Sequence, residues 1–334
     1  MSTSPTLSLP LIDLTPLSSP NPTTEALAAI SQSLSTAFST TGFAYLVNTP
    51  LSFTHADIFF LAHEFFSLPE AEKSSVAKKT FIPQNVNTYR GFFPAQAGSD
   101  NLKEGFEIGP KVSLPQIFDP RAKFNLTEAN VWSEDYRCRD GAEQLYSELQ
   151  ELSSKLLSLL AMALGKGASY FDGYLDNSMS TLRLLHYPAI TPPSPQQELC
   201  CTPHTDSGIL TLLHQDQTGG LEVLSTSDVW IPAPYVPGSI VVNIGDLMSQ
   251  VSGGKFKATY HRVRSSPGKS RYSVPFFFEP GAGCVVRSVD DEAGEGVLYG
   301  KHVLEKMSGW VEFQDVDVEK EPVFETVEEI GVAA

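Results

Sequence analysis

The stretch HTDSGILTLLHQD, residues 204–216, holds the pattern His-x-Asp twice, as His204 with Asp206 and as His214 with Asp216. On a β-strand, side chains two positions apart share a face, so either pair can offer an imidazole and a carboxylate to one metal ion. A third match, His55-Ala56-Asp57, stands far upstream. The pattern alone does not choose among the three, because seven histidines in 334 residues make a chance match unsurprising.

The surroundings of the stretch point to its architecture. After residue 178 the chain becomes a series of short β-branched or alternating runs, TLRLLHY, GILTLLH, GLEVL, SIVVNI, ATYHRVR and RYSVPFFF, separated by Pro, Gly and Asp. Short strands with turn signals between them argue for a sandwich or barrel rather than βαβ units. The expected fold is mainly β with helical additions, a double-sheet jelly roll wrapped by N-terminal helices and closed by a helix around 294–308. Upstream, Asn21-Pro22 reads as a helix start, followed by Leu27, Ile30, Leu34 and Phe38 at helical spacing up to Gly42 and then a short strand, FAYLVN. Further helices are predicted over 53–66 and over 141–164, the latter with Leu145, Leu149, Leu152, Leu156 and Leu160 on one stripe and Gly165 as its stop. Residues 85–125, rich in Gly, Pro and Phe, are expected to form an irregular loop over a pocket. This divides the chain into an N-terminal region, 1–125, a catalytic jelly-roll core with its supporting and closing helices, 126–310, and an acidic tail, 311–334.

Two residues of one strand leave a divalent ion mostly open, so a further ligand is expected from another strand. In ATYHRVR, alternation puts Thr259, His261 and Val263 on one face, and a His sharing the face of a Val points inward. Two His and one carboxylate form the facial triad typical of non-haem Fe(II) oxygenases. Ten residues beyond His261 stands Arg271-Tyr272-Ser273, and in the following strand Arg271, Ser273, Pro275, Phe277 and Glu279 share a face. A forked cation beside a hydroxyl suits bidentate capture of a carboxylate.

The order HTD, then 55 residues from Asp206 to His261, then ten to Arg271-x-Ser273, resembles the isopenicillin N synthase-like family of Fe(II)/2-oxoglutarate-dependent dioxygenases. GGLEVL at 219, PGSIVVNIGDLMSQVSGGKFKATYHRV at 237, RGFFP at 90, LPLIDL and TTGFAYLVN are similar to the same family, so the resemblance covers most of the chain and leaves out the acidic tail. It implies a double-stranded β-helix, one Fe(II) held by His204, Asp206 and His261, and 2-oxoglutarate and O2 as cosubstrates. It further implies that Arg271 and Ser273 meet the far carboxylate of 2-oxoglutarate, with Tyr187 at a position that helps hold it. Where many relatives have an Asn and two Tyr before the Pro, this chain has Leu185, His186, Tyr187 and Pro188, so the Asn contact is lost and His186 faces away from Tyr187. The implied activity is oxidation of a C–H bond of a small organic molecule, a specialised-metabolite intermediate, by hydroxylation, desaturation or ring rearrangement, with succinate and CO2 as coproducts. The rivals are a same-fold iron oxidase that does not use 2-oxoglutarate, a non-catalytic binding protein on this scaffold, and a zinc hydrolase, for which no general base stands nearby.

For the substrate, the candidates are Arg183, Arg90, Phe92, Phe277 and Glu279. Arg183 shares a face with Leu185 and Tyr187, either in an ion pair with Glu107 or Glu279 or as the receiver of a substrate oxygen. Composition narrows the partners. The net charge is -16, and eight acidic residues against one lysine in 311–334 supply -7 of it, which argues against nucleic acid or an anionic membrane as partner. No basic leader followed by an apolar run and no membrane-length apolar segment is present, so a cytoplasmic protein is expected. Cys138, Cys200, Cys201 and Cys284 lack zinc-ligand spacing and read as reduced thiols. The oligomeric state is not encoded in any feature of the sequence.

Overall fold

A computed structural model describes residues 9–96, 102–112, 114, 124–189, 199–264, 266 and 268–307. The acidic tail expected over 311–334 lies outside them. Six α-helices are present among the described residues: α1 (Thr24–Thr40), α2 (His55–Phe66), α3 (Glu70–Ser75), α4 (Arg139–Ala163), α5 (Asp246–Val251) and α6 (Tyr299–Met307). The strands of the two main sheets are β1 (Leu11–Asp13), β2 (Phe43–Val47), β3 (Gly91–Phe93), β4 (Glu104–Ile108), β5 (Thr181–Tyr187), β6 (Leu199–His204), β7 (Leu210–Gln215), β8 (Leu221–Leu224), β9 (Trp230–Pro232), β10 (Ile240–Ile244), β11 (His261–Arg264) and β12 (Arg271–Phe278).

The larger sheet has the order β1-β2-β10-β7-β12-β5-β4-β3, and the smaller one β6-β11-β8-β9. Alternation sorts the side chains of the larger sheet between two cores. On β12, Val274, Phe276 and Phe278 join the main core beneath the helices. On β5, Leu182 and Leu184 go the same way, while Leu185 and Tyr187 join the second core between the two sheets, with Phe43, Tyr45, Cys201, Leu221 and Val263. The expected jelly roll is therefore present, and its inter-sheet space is lined by the odd-numbered residues of β5 and β12.

The helices follow the apolar stripes of the sequence. Leu145, Leu149, Leu152, Leu156 and Leu160 are all buried, and Tyr146 meets Phe276 edge-on at 5.3 Å between ring centroids. Helix α4 stops where Gly165 takes φ +76°, a left-handed conformation costly for a residue with a Cβ. Helix α1 begins later than Asn21-Pro22 suggests, because the Thr23 hydroxyl accepts from the Ala26 amide and caps it there. The region expected as loop over 85–125 contains β3 and β4, which extend the large sheet. Both strands are short and interrupted by glycine, which hides them in the sequence. Gly105 is needed in β4: a Cβ there would stand 2.3 Å from the Phe93 ring on the neighbouring strand. Among the described residues, no helix is long and apolar enough to cross a membrane.

Candidate active site

The three His-x-Asp matches have three different fates. In the upstream one, the Thr54 hydroxyl caps α2 and Asp57 accepts from the Thr54 amide, closing a capping box, while His55 Nε2 lies 3.0 Å from the Ser239 carbonyl oxygen. His214 is buried on the helix side of β7, its ring 5.5 Å from that of His55, and burial together with His55 pushes its pKa down to about 3. Asp216 accepts from the amides of Tyr272 and Thr218, which anchors the turn after β7. Among the described residues, neither of these pairs belongs to a group that could hold a metal ion.

His204 and Asp206 do converge, with His261. One donor atom from each lies within 4.8 Å of the others. The two Nε2 atoms stand 3.9 and 3.7 Å from Asp206 Oδ1. What turns these atoms toward one another is visible one layer out. His204 Nδ1 lies 2.8 Å from the Thr202 carbonyl oxygen and His261 Nδ1 3.2 Å from that of Thr259. An Nδ1–H donated there leaves each Nε2 lone pair facing inward. The other Asp206 oxygen, Oδ2, accepts from the Thr211 hydroxyl at 2.6 Å and the Asn243 amide at 2.8 Å. Burial alone would raise the Asp206 pKa, but His261, His204 and these hydrogen bonds hold it below the usual carboxylate value. Burial and the neighbouring His204 lower His261 to about 4, whereas Cys201 and Asp206 raise His204 to about 9 against its own burial, so a metal ion bound at His204 Nε2 takes the place of a proton. A carboxylate and two imidazoles with oriented lone pairs are a donor set that fits Fe(II). The set is unevenly covered: the His204 side chain is 41% exposed, against 10% for His261 and 6% for Asp206.

Thr211 and Asn243 belong to a transverse row of the large sheet. Thr181 on β5 lies opposite Phe277 on β12, Phe277 opposite Thr211 on β7, Thr211 opposite Asn243 on β10, and Asn243 opposite Phe43 on β2. The Phe43 ring packs edge-on against His261, 5.4 Å between centroids. One row thus braces two of the three donors. Farther along the same inward face, Arg271 lies opposite Tyr187, its guanidinium carbon 4.8 Å from the centroid of that ring. The Arg271 Nε donates to the Gly219 carbonyl and an Nη donates to the Ser273 hydroxyl at 3.0 Å. Arg271, Ser273 and Tyr187 are therefore brought together, inward, as expected.

Comparison with known proteins agrees with this arrangement. Residues 179–280 match the model of the 2OG-Fe(II) oxygenase superfamily, and residues 9–135 that of the non-haem dioxygenase in morphine synthesis N-terminal region. The 2-oxoglutarate-dependent dioxygenase citB of Monascus ruber is 33% identical over 308 residues, 87% of this chain and 90% of that protein. The chain belongs to the 2OG-Fe(II) oxygenase superfamily. It is also similar to the clavatol oxidase claD of Penicillium crustosum, 33% identical over 82% of this chain and 86% of that one. Among solved structures, a full-length Neurospora crassa protein in complex with alpha-KG superposes with a TM-score of 0.76 at 26% identity, covering 91% of this chain and 97% of that chain. Like its superfamily, this oxygenase uses Fe(II), 2-oxoglutarate and O2.

Of the remaining sequence candidates, Arg90 and Glu279 meet at the Thr181 hydroxyl, Arg183 lies over the Phe277 ring opposite Thr181, and Phe92 stands apart. Phe92 points to the wrong side: it is buried in the helix-side core beside Phe65, and its neighbour Phe93 takes the inward position instead. The reason is strand alternation on β3, whose phase three residues are too few to reveal. Arg90 is buried with its guanidinium on the Thr181 hydroxyl and the Met179 carbonyl. Glu279 accepts from the Tyr299 hydroxyl at 2.6 Å, and burial raises its pKa to about 7. Arg183 forms the ion pair with Glu107, one of the two roles expected of it. His186 faces the helix side, between Glu104 and Ser270. Sequence reasoning does not reach Thr211, Asn243 or Lys78. Asn243 alone leaves a trace, as a polar residue inside the apolar run SIVVNI.

Proposed function

We propose that His204, Asp206 and His261 bind the iron of this oxygenase. Arg271, Ser273 and Tyr187 hold the far carboxylate of 2-oxoglutarate, and the substrate is a small specialised metabolite. The observation that carries this reading is the convergence of Asp206 Oδ1 with two imidazole Nε2 atoms at the end of β6 and the start of β11, across from a large-sheet wall that carries the Arg271–Ser273 fork. Bound there, iron and 2-oxoglutarate supply with O2 the oxidising power to break a substrate C–H bond, giving succinate and CO2 as coproducts. The chain itself does three things. Thr211 and Asn243 fix Asp206 with one oxygen turned inward, the Thr202 and Thr259 carbonyls fix the imidazoles, and the two sheets exclude water from the space between them. A specialised-metabolite substrate is supported by the relatives, among which is a clavatol oxidase. Hydroxylation, desaturation and ring rearrangement diverge after hydrogen removal and follow from how the substrate is held.

The test is anaerobic addition of 2-oxoglutarate to the Fe(II)-loaded protein, watching the metal-to-ligand absorption band, followed by succinate measurement after O2 is admitted. The wild-type chain gives both signals, and His204→Ala, Asp206→Ala and His261→Ala give neither. A band that survives in all three variants overturns the ligand assignment.

A further inference from the structure

Arg271 and Arg183 both project from strands of the large sheet toward the inter-sheet space, at different levels, and Arg271 is the one assigned to 2-oxoglutarate. Arg271 shares its end of the wall with Ser273 and Tyr187. Arg183 lies opposite Glu107, one step along the inward face of β5 from Thr181, and so beside the row whose Thr211 and Asn243 hold Asp206. Between β5 and β7, which holds Thr211, lies only β12. Two strand spacings of about 4.8 Å put the Arg183 backbone on the order of 10 Å from that of Thr211. Arg183 and the Thr211 that holds Asp206 are thus close enough on one face to flank a single small molecule.

The surroundings of Arg183 favour a particular chemistry. Its guanidinium carbon lies 5.5 Å from the Phe93 ring centroid and 5.1 Å from that of Phe277, so it is flanked by two aromatic faces. Glu107 holds it on one edge and takes Lys78 on its other oxygen at 2.6 Å. Burial would raise the Glu107 pKa, but Arg183 and Lys78 bring it down to about 2, so the anchor stays ionised. Of the pair, Glu107 is 2% exposed and Arg183 15%, so it is the guanidinium that reaches toward the inter-sheet space. A guanidinium anchored in this way carries its N–H donors in a fixed plane, which matches a carboxylate or enolate, and the flanking rings take a flat apolar body.

Resting on the oxygenase reading above, we infer that the substrate is a planar aryl acid whose anionic oxygen is received by Arg183 and whose ring lies against Phe93 and Phe277. The acid is a carboxylate or an acidic phenol or enol. Its far edge then points along the Thr181–Phe277–Thr211 row toward His204, Asp206 and His261, which selects the carbon to be oxidised.

Calorimetric binding of matched acids and amides tests this. The pairs are 4-methylbenzoate with 4-methylbenzamide and 2-naphthoate with 2-naphthamide, and hexanoate is the acid without a ring. The wild-type protein should bind each aryl acid tighter than its amide by about tenfold or more, the worth of one charge-assisted hydrogen bond, and should bind hexanoate more weakly than either aryl acid. Arg183→Gln should erase the difference, and Arg183→Lys should keep part of it. Equal binding of acid and amide by the wild type overturns the inference, whatever the variants do, and so does an acid preference that survives in Arg183→Gln. The comparison is run with and without iron. The metal-to-ligand band of Fe(II) and 2-oxoglutarate, measured on the same samples, reports separately on the cosubstrate assignment.

Discussion

At the scale of single residues, the site separates groups that bind from groups that aim. His204→Ala, Asp206→Ala and His261→Ala each leave too few donors to fix a divalent ion. His214→Ala removes an imidazole on the far side of the sheet. The expected outcome is loss of stoichiometric Fe(II) binding in the first three, read by metal analysis after desalting, and retention in the fourth at some cost in thermal stability. Arg271→Leu should raise the concentration of 2-oxoglutarate needed for half-maximal succinate formation by roughly thirtyfold or more, since losing one partner of a buried charged pair costs about 2–5 kcal/mol. An unchanged value would remove Arg271 from the cosubstrate site. The ligands are legible in the sequence because His, Asp and Arg at set separations are rare together. The groups that aim them are not: Thr211 and the carbonyls of Thr202 and Thr259 carry no sequence mark, since a threonine or a backbone oxygen is everywhere.

At the scale of elements, periodicity is readable where segments are long. Helix α4 repeats its leucine stripe over many turns and stands out for that reason. Strands β3 and β4 give the alternation too few residues to establish a phase, so the sequence does not separate Phe92, which faces the helices, from Phe93, which faces inward. Boundaries are set by hydroxyl caps that compete within a few residues, as at Thr23. Helix α2 offers a direct check, because its Thr54–Asp57 box satisfies two backbone amides at once. Thr54→Ala should lower unfolding free energy by about 1 kcal/mol in urea melts without changing iron binding. A larger loss, or one accompanied by a change at the metal, would show that α2 does more than pack.

For the molecule as a whole, the buried charges on the inward wall tie stability to pH. The Glu107 pKa in the folded chain is about 2, below its ordinary value of 4.5. A lowered folded-state value means that its contribution is complete above the unfolded pKa and is lost as pH falls from there through the folded value. Glu107→Gln should therefore destabilise the protein by about 3–5 kcal/mol at neutral pH, the penalty for leaving buried cations without their carboxylate. It should also make stability less steep between pH 5 and pH 2 than in the wild type. Melting curves across that range decide it, and parallel acid limbs in the two proteins would exclude the group. The uneven cover of the iron donors has a kinetic meaning as well. With Asp206 and His261 enclosed and His204 at the rim, a chelator approaches from one direction and the ion exchanges through that opening while the sheets stay shut. Stripping with a ferrous chelator and refilling with Fe(II) should then restore activity with no unfolding step, at a rate set by how tightly the opening is crowded and not by the lifetime of the fold.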